Sequence, residues 1–210
     1  MLYHWLEDVL RDEYEQLRVL KESPRGSVRL IRHRATGKQF ILRQFTGNAE
    51  VYQKLLGYSC QNLPETLEVV VDGEKALVIE EFIEGDTLDF LLEGALFTPQ
   101  ETKEIVTQLC QALWVLHSMA AVHRDIKPDQ KAGTQVLGTT GFAAPEQYGL
   151  SQSDVRTDIY ALGVLMNVML TGEHPSKRLA EGRMGRVIER CTRVNPEKRY
   201  KDVLHLMREL

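Results

Sequence analysis

The chain has no paired cysteines, no excess of basic charge and no apolar run long enough to cross a bilayer. Its three cysteines, Cys60, Cys110 and Cys191, form neither a CxxC pair nor a metal-ligand spacing. That argues against a disulfide framework or a zinc site and favours a reduced, cytoplasmic setting. Each cysteine reads as a small buried apolar side chain or as a reactive thiol, and the first is the commoner use of the residue. The formal net charge of −4 gives no electrostatic reason to expect nucleic acid as the partner. The longest apolar run, IYALGVLMNVML (159–170), falls short of a span and carries Asn167. The start, MLYHWLEDVLRDEYEQL, is acidic and amphipathic, unlike the basic and then apolar pattern of a secretory leader. The expectation is a soluble chain without membrane contact of its own, either free in the cytoplasm or the cytosolic domain of a longer protein. Oligomeric state is not legible, and no repeat or low-complexity segment appears.

What is present is a change of pattern along the chain. Residues 2–13 have helical apolar spacing. LRVLK (17–21), SVRLIRH (27–33) and KQFILRQF (38–45) alternate as strands, with SPRG and ATG as turns. NAEVYQKLLG (48–57) reads as a helix with an Asn cap and a Gly stop. TLEVVVDG (66–73) and KALVIEEF (75–82) read as two more strands. Beyond them the pattern is helical: 88–94, 98–120, 157–171, 179–193 and 200–209. The longest of these opens with Thr98, Pro99 and Glu101, the chemistry of a capping box with proline in the first turn. A β-rich front and an α-rich back predict an α+β fold of two lobes.

The densest polar motif is VHRDIKP (122–128), at the end of the long helix. By itself it could be a solvated turn. GTTGFAAPEQYG (138–149), DIYALGVLMNVMLTGEHP (158–175) and NPEKRY (195–200) follow it in order. With these motifs the chain resembles the eukaryotic-type protein kinases, in their bacterial serine/threonine branch. The resemblance implies an N-lobe at 14–82, a hinge at 83–86 and a C-lobe at 87–210, preceded by the leading helix at 1–13 that the apolar spacing suggests. It implies transfer of the ATP γ-phosphate to a Ser/Thr hydroxyl of a protein substrate, with Mg2+ as the metal. Asp125 would orient the hydroxyl and accept its proton, Lys127 would steady the phosphate, and Thr139 would bond both. His123 and Arg124 belong to the same motif, and Arg124 would dock a phosphate on the activation segment. Asp158 would brace the catalytic loop from below, and Arg199 would form a buried ion pair with Glu146.

The front half departs from the family. In the pattern G-x-G-x-x-G-x-V, aligned on Val28, only Gly26 remains; Lys21 and Ser23 occupy the other glycine places. ESPRGSV also reads as an ordinary hairpin turn. The strand lysine falls on Arg43, which keeps the charge on a bulkier planar head. Its expected partner on the next helix is Glu50, with a solvated Glu50 as the alternative. Glu80 takes the gatekeeper place, usually apolar, and its consequence stays open. Glu81 and Ile83 would offer backbone groups to the adenine.

The middle of the site is short. The family pattern needs an Asn five places after Asp125 to hold the metal, and Gln130 stands there. No DFG follows, and no aspartate lies between Asp129 and Asp154. Asp125 and Ala144 are 19 positions apart, about half the family spacing. Three explanations compete for a gap near 129–133: residues omitted from the chain as read, a deliberate deletion, or natural loss in a pseudokinase. Omission is the expectation, because the flanking motifs keep their detail. Two other functions stand beside the kinase: a pseudokinase scaffold, and a small-molecule phosphotransferase. GTTGFAAPE, a protein-substrate platform in the family, speaks against the second.

Overall fold

The computed structural model describes residues 2–128, 141–148 and 153–210. The chain divides into two compact units, Met1–Glu84 and Gly85–Leu210.

The first unit is a five-stranded antiparallel sheet with two helices. Helix α1 (Leu2–Glu13) leads directly into β1 (Tyr14–Ser23), followed by β2 (Gly26–His33), β3 (Gln39–Thr46), α2 (Glu50–Leu55), β4 (Thr66–Asp72) and β5 (Lys75–Glu81). The strand order is β1-β2-β3-β5-β4. Alternation along the strands separates two faces. On one, Ile31, Leu42, Val70, Leu77 and Ile79 are buried beneath Leu6 of α1, with Val9 and Leu10 packed alongside. The other carries Val28, Arg43 and Val78 in one row across β2, β3 and β5.

The SPRG turn closes the β1–β2 hairpin, with Ser23 paired to Gly26. At Gly26 φ is +152°, and a Cβ there would lie 2.1 Å from the carbonyl oxygen of Gln44. Close approach of β3 therefore accounts for this glycine. Helix α2 is shorter than its sequence pattern suggests. Its N-cap is Ala49 rather than Asn48, although the Asn48 side chain still accepts from the Glu50 N–H at 2.7 Å.

The second unit is helical: α3 (Leu88–Gly94), α4 (Pro99–Ser118), α5 (Val155–Thr171), α6 (Gly182–Cys191) and α7 (Val203–Met207), with short 3-10 turns at Pro145–Tyr148 and Pro196–Lys198. The capping box at the start of α4 is formed, with Thr98 accepting from the Glu101 N–H and Glu101 from the Thr98 N–H. Helix α5 is buried along most of its length, which explains its continuous apolar run. Val106, Cys110, Leu113, Leu162, Met166, Ile188 and Leu206 form the core around it.

Asn167, the polar residue in that run, is fully buried but satisfied. Its side chain donates to the carbonyls of Glu173 and Arg178, each at 2.7 Å, and accepts from the Ala180 N–H at 2.9 Å. It thereby folds the loop after α5 onto the helix that precedes it. Cys110 and Cys191 are buried free thiols, and desolvation pushes Cys110 up to about 12 and Cys191 higher still. Both are thus held in the unreactive protonated form.

Candidate active site

The loop 121–128 owes its shape to a buried carboxylate. Asp158, in the first turn of α5, is fully buried. Its Oδ2 accepts from the His123 N–H at 2.9 Å and from His117 Nε2 at 2.8 Å, and its Oδ1 accepts from the Arg124 N–H at 2.7 Å. Arg124 has φ of 64°, a left-handed conformation that an L-residue adopts only when its surroundings impose it. The N–H groups of Arg124 and of His123 before it, both bonded to Asp158, hold that turn.

The strained turn then sets an alternation. Ile126 and Pro128 are buried, while Asp125 is exposed and Lys127 is part-buried. The Asp125 side chain is 54% exposed, and Lys127 Nζ lies 3.2 Å from its Oδ1. An exposed carboxylate beside an ammonium can accept a proton from a hydroxyl, and the ammonium can meet an anionic oxygen.

The segment 141–148 is fastened to this loop and to the helical core. Glu146 is buried, and its carboxylate accepts from Arg199 at 2.6 and 2.9 Å and from the Thr157 hydroxyl at 3.0 Å. Burial pushes this carboxyl up, but the hydrogen bonds and charge of Arg199 outweigh it and hold Glu146 below the ordinary carboxylate range. Arg199 spends its remaining donors on the carbonyls of Arg193, Val194 and Arg156.

Sequence reasoning missed Gln147. Its Oε1 accepts from the Ala144 N–H at 2.9 Å and its Nε2 donates to the Arg124 carbonyl at 3.0 Å, so one amide spans both segments. His174 was missed as well: its Nε2 donates to the Gly141 carbonyl at 2.8 Å. Only the adjacency of Gln147 to the APE motif could have drawn attention to it.

In the first unit the expected pair of Arg43 with Glu50 is not formed. Glu50, the first residue of the six-residue α2, is 62% exposed and pairs along its own helix with Lys54 at 2.7 Å. Arg43 instead donates from Nε to Glu80. Arg43 stands opposite Val78, two residues from Glu80 on the same face, so the pair is a diagonal neighbour across β3 and β5. Burial draws the Arg43 guanidinium down, and the charge of Glu80 and the bond to it more than compensate, leaving it above its ordinary value.

Val28 is directly opposite Arg43 on β2. Glu81 ends β5, with its N–H donating to the Glu65 carbonyl, and Ile83 is exposed beyond the sheet. Thr139 and Gln130 lie outside the described residues, as does the expected gap at 129–133. In the full sequence Lys131 directly follows Gln130.

A family model described as protein kinase domain matches residues 14–131, more than half of the chain. The chain belongs to the protein kinase domain family. The match stops at the shortened junction that follows the catalytic-loop motif. Among curated proteins, the serine/threonine-protein kinase PknB of Mycobacterium leprae is 32% identical over 130 residues, covering 49% of this chain and 21% of that protein. A "Probable serine/threonine-protein kinase" of Clostridium acetobutylicum is 24% identical over 233 residues, covering 88% of this chain and 35% of that protein. The second alignment is longer than the whole 210-residue chain, so that relative carries residues with no counterpart here. The chain thus spans a minor part of the length of these relatives.

The crystal structure of Rad53 1-466 in complex with AMP-PNP superposes with a TM-score of 0.74, at 21% identity, over 94% of this chain and 65% of that one. The kinase domain fold is therefore α+β, with the sheet unit and the helical unit in the family order.

In sequence, the donor places of a family-type metal carry Gln130 in place of Asn and no DFG aspartate. Among the described residues no three His, Cys, Asp or Glu side chains come together as a metal-holding group. No aspartate follows Asp129 before Asp154. No helix among the described residues is long and apolar enough to cross a membrane.

Proposed function

We propose that the chain is the catalytic domain of a bacterial-type serine/threonine protein kinase, using ATP to phosphorylate a protein hydroxyl. The observation that carries this reading is the catalytic loop: an exposed Asp125 with the Lys127 ammonium beside it, on a backbone held by Asp158. In the reaction the substrate hydroxyl gives its proton to Asp125 as its oxygen bonds to the γ-phosphorus. The bond to the bridging oxygen breaks, and ADP leaves with that electron pair. Lys127 neutralises charge on the transferring group, so catalysis rests on placement and electrostatics. Thr139 would add a bond to both residues from the substrate side. The hinge groups of Glu81 and Ile83, with Val28 and Gly26, would border the base and phosphates.

Magnesium enters this proposal by resemblance alone, and none of these steps is routed through it. The reaction belongs in the cytoplasm, where ATP is supplied. Generic basic protein and small-molecule acceptors, offered with labelled ATP, separate a protein kinase from a small-molecule phosphotransferase.

A second reading, a pseudokinase scaffold, is favoured by one observation: the chain has no aspartate at the DFG place and Gln130 at the Asn place. Label transfer to protein that disappears in Asp125→Asn supports the kinase. Nucleotide binding without transfer, in magnesium or manganese, supports the scaffold and defeats the catalytic reading.

A further inference from the structure

Two departures from the family pattern fall on one face of the sheet. Position 43 carries arginine where lysine is usual, and position 80 carries glutamate where an apolar side chain is usual. The register brings them together, and the glutamate side chain is only 10% exposed against 37% for the arginine. A carboxylate so enclosed needs a cation or donor beside it. Arginine meets that need and retains donors to spare. Its Nε–H is committed to Glu80, while the terminal nitrogens have no partner among the described residues. A lysine would have to divide one charged centre between the carboxylate and any further anion. Glu50 of α2 is engaged with Lys54 on its own helix.

We propose that Glu80 is the positioning residue for Arg43, so that strand β5, and not helix α2, orients the cation presented to the phosphates of a bound nucleotide. This rests on the reading of the domain as nucleotide-binding. Both members of the pair sit on adjacent strands whose register is set by continuous pairing from Phe40–Glu81 to Thr46–Lys75. Displacement of α2 therefore leaves the cation aimed, and the position of that helix does not gate phosphate binding.

The test is titration of the 210-residue chain with ATP and with adenosine, each with and without magnesium. ATP affinity should fall about tenfold in Arg43→Ala and in Glu80→Gln, with no further loss in the double variant. Adenosine affinity should stay within about twofold throughout, because the pair acts on phosphates. Glu50→Gln should bind ATP like the parent. Should Glu80→Gln fail to fold, Arg43→Lys gives the second measurement: charge is kept, the Nε–H is lost, and ATP affinity should again fall about tenfold. Loss of ATP affinity in Glu50→Gln with retention in Glu80→Gln would overturn the proposal. Equal loss of ATP and adenosine in Glu80→Gln would overturn it too, by reducing Glu80 to a packing role. A parent chain that binds neither ligand defeats the nucleotide-binding reading itself, and this proposal with it.

Discussion

Removing one member of the Arg199–Glu146 pair should destabilise the helical unit asymmetrically. In Glu146→Ala the guanidinium loses its carboxylate but keeps bonds to the carbonyls of Arg193, Val194 and Arg156. In Arg199→Ala the carboxylate keeps the Thr157 hydroxyl but no cation, and three carbonyls lose their donors as well. Breaking a buried pair costs about 3–5 kcal/mol, and an unsatisfied buried group about 1–3 kcal/mol. The expected losses are about 3 kcal/mol for Glu146→Ala and about 5 kcal/mol for Arg199→Ala. The larger is a substantial part of a domain's total stability. The double variant Glu146→Leu with Arg199→Met leaves no stranded charge, so it should cost less than Arg199→Ala alone. Urea unfolding followed by far-UV circular dichroism at pH 7 measures all of these.

The pH dependence has a definite sign. The folded-state pKa of Glu146 is lowered from 4.5, so the pair's contribution is complete above that value and is lost as pH falls through the lower folded value. The difference between parent and Arg199→Ala should therefore shrink in acid. A cost below about 1 kcal/mol for Arg199→Ala at neutral pH, or a larger cost for Glu146→Ala, would refute this reasoning.

Gln147→Leu should lower phosphotransfer about tenfold while costing only about 1–2 kcal/mol in stability, because it unties the catalytic loop from the following segment without opening the core; steady-state kinetics beside a thermal melt separates the two effects. Gly163→Ala should destabilise the helical unit by about 1–3 kcal/mol, since a Cβ there would lie 2.5 Å from that of Cys191, and the midpoint of urea unfolding reads it.

Legibility from sequence followed the range of the chemistry involved. The start of α4 could be read because Thr98, Pro99 and Glu101 act on one another within a single turn. The motifs around Asp125, Glu146, Asp158 and Arg199 were legible as a set because their order along the chain is characteristic. Asn167 was visible only as an oddity in an apolar run, since apart from the Thr171 hydroxyl its partners are backbone groups of residues 173, 178 and 180, which present no side-chain signal. Gln147 was hidden for the same reason.

The misassigned partner of Arg43 is the most instructive case. Family analogy pointed along the chain to Glu50, whereas the ion pair forms across the sheet with Glu80. The clue was present as two unusual residues, an arginine for a lysine and a glutamate for an apolar residue, each of which is awkward alone. A buried carboxylate beside an ordinary strand lysine would compete with phosphate for one ammonium, and an arginine without that carboxylate would lack a fixed orientation. Taken together the two substitutions compensate each other, so a departure from a family pattern is best read with every other departure that the strand register can bring to the same face.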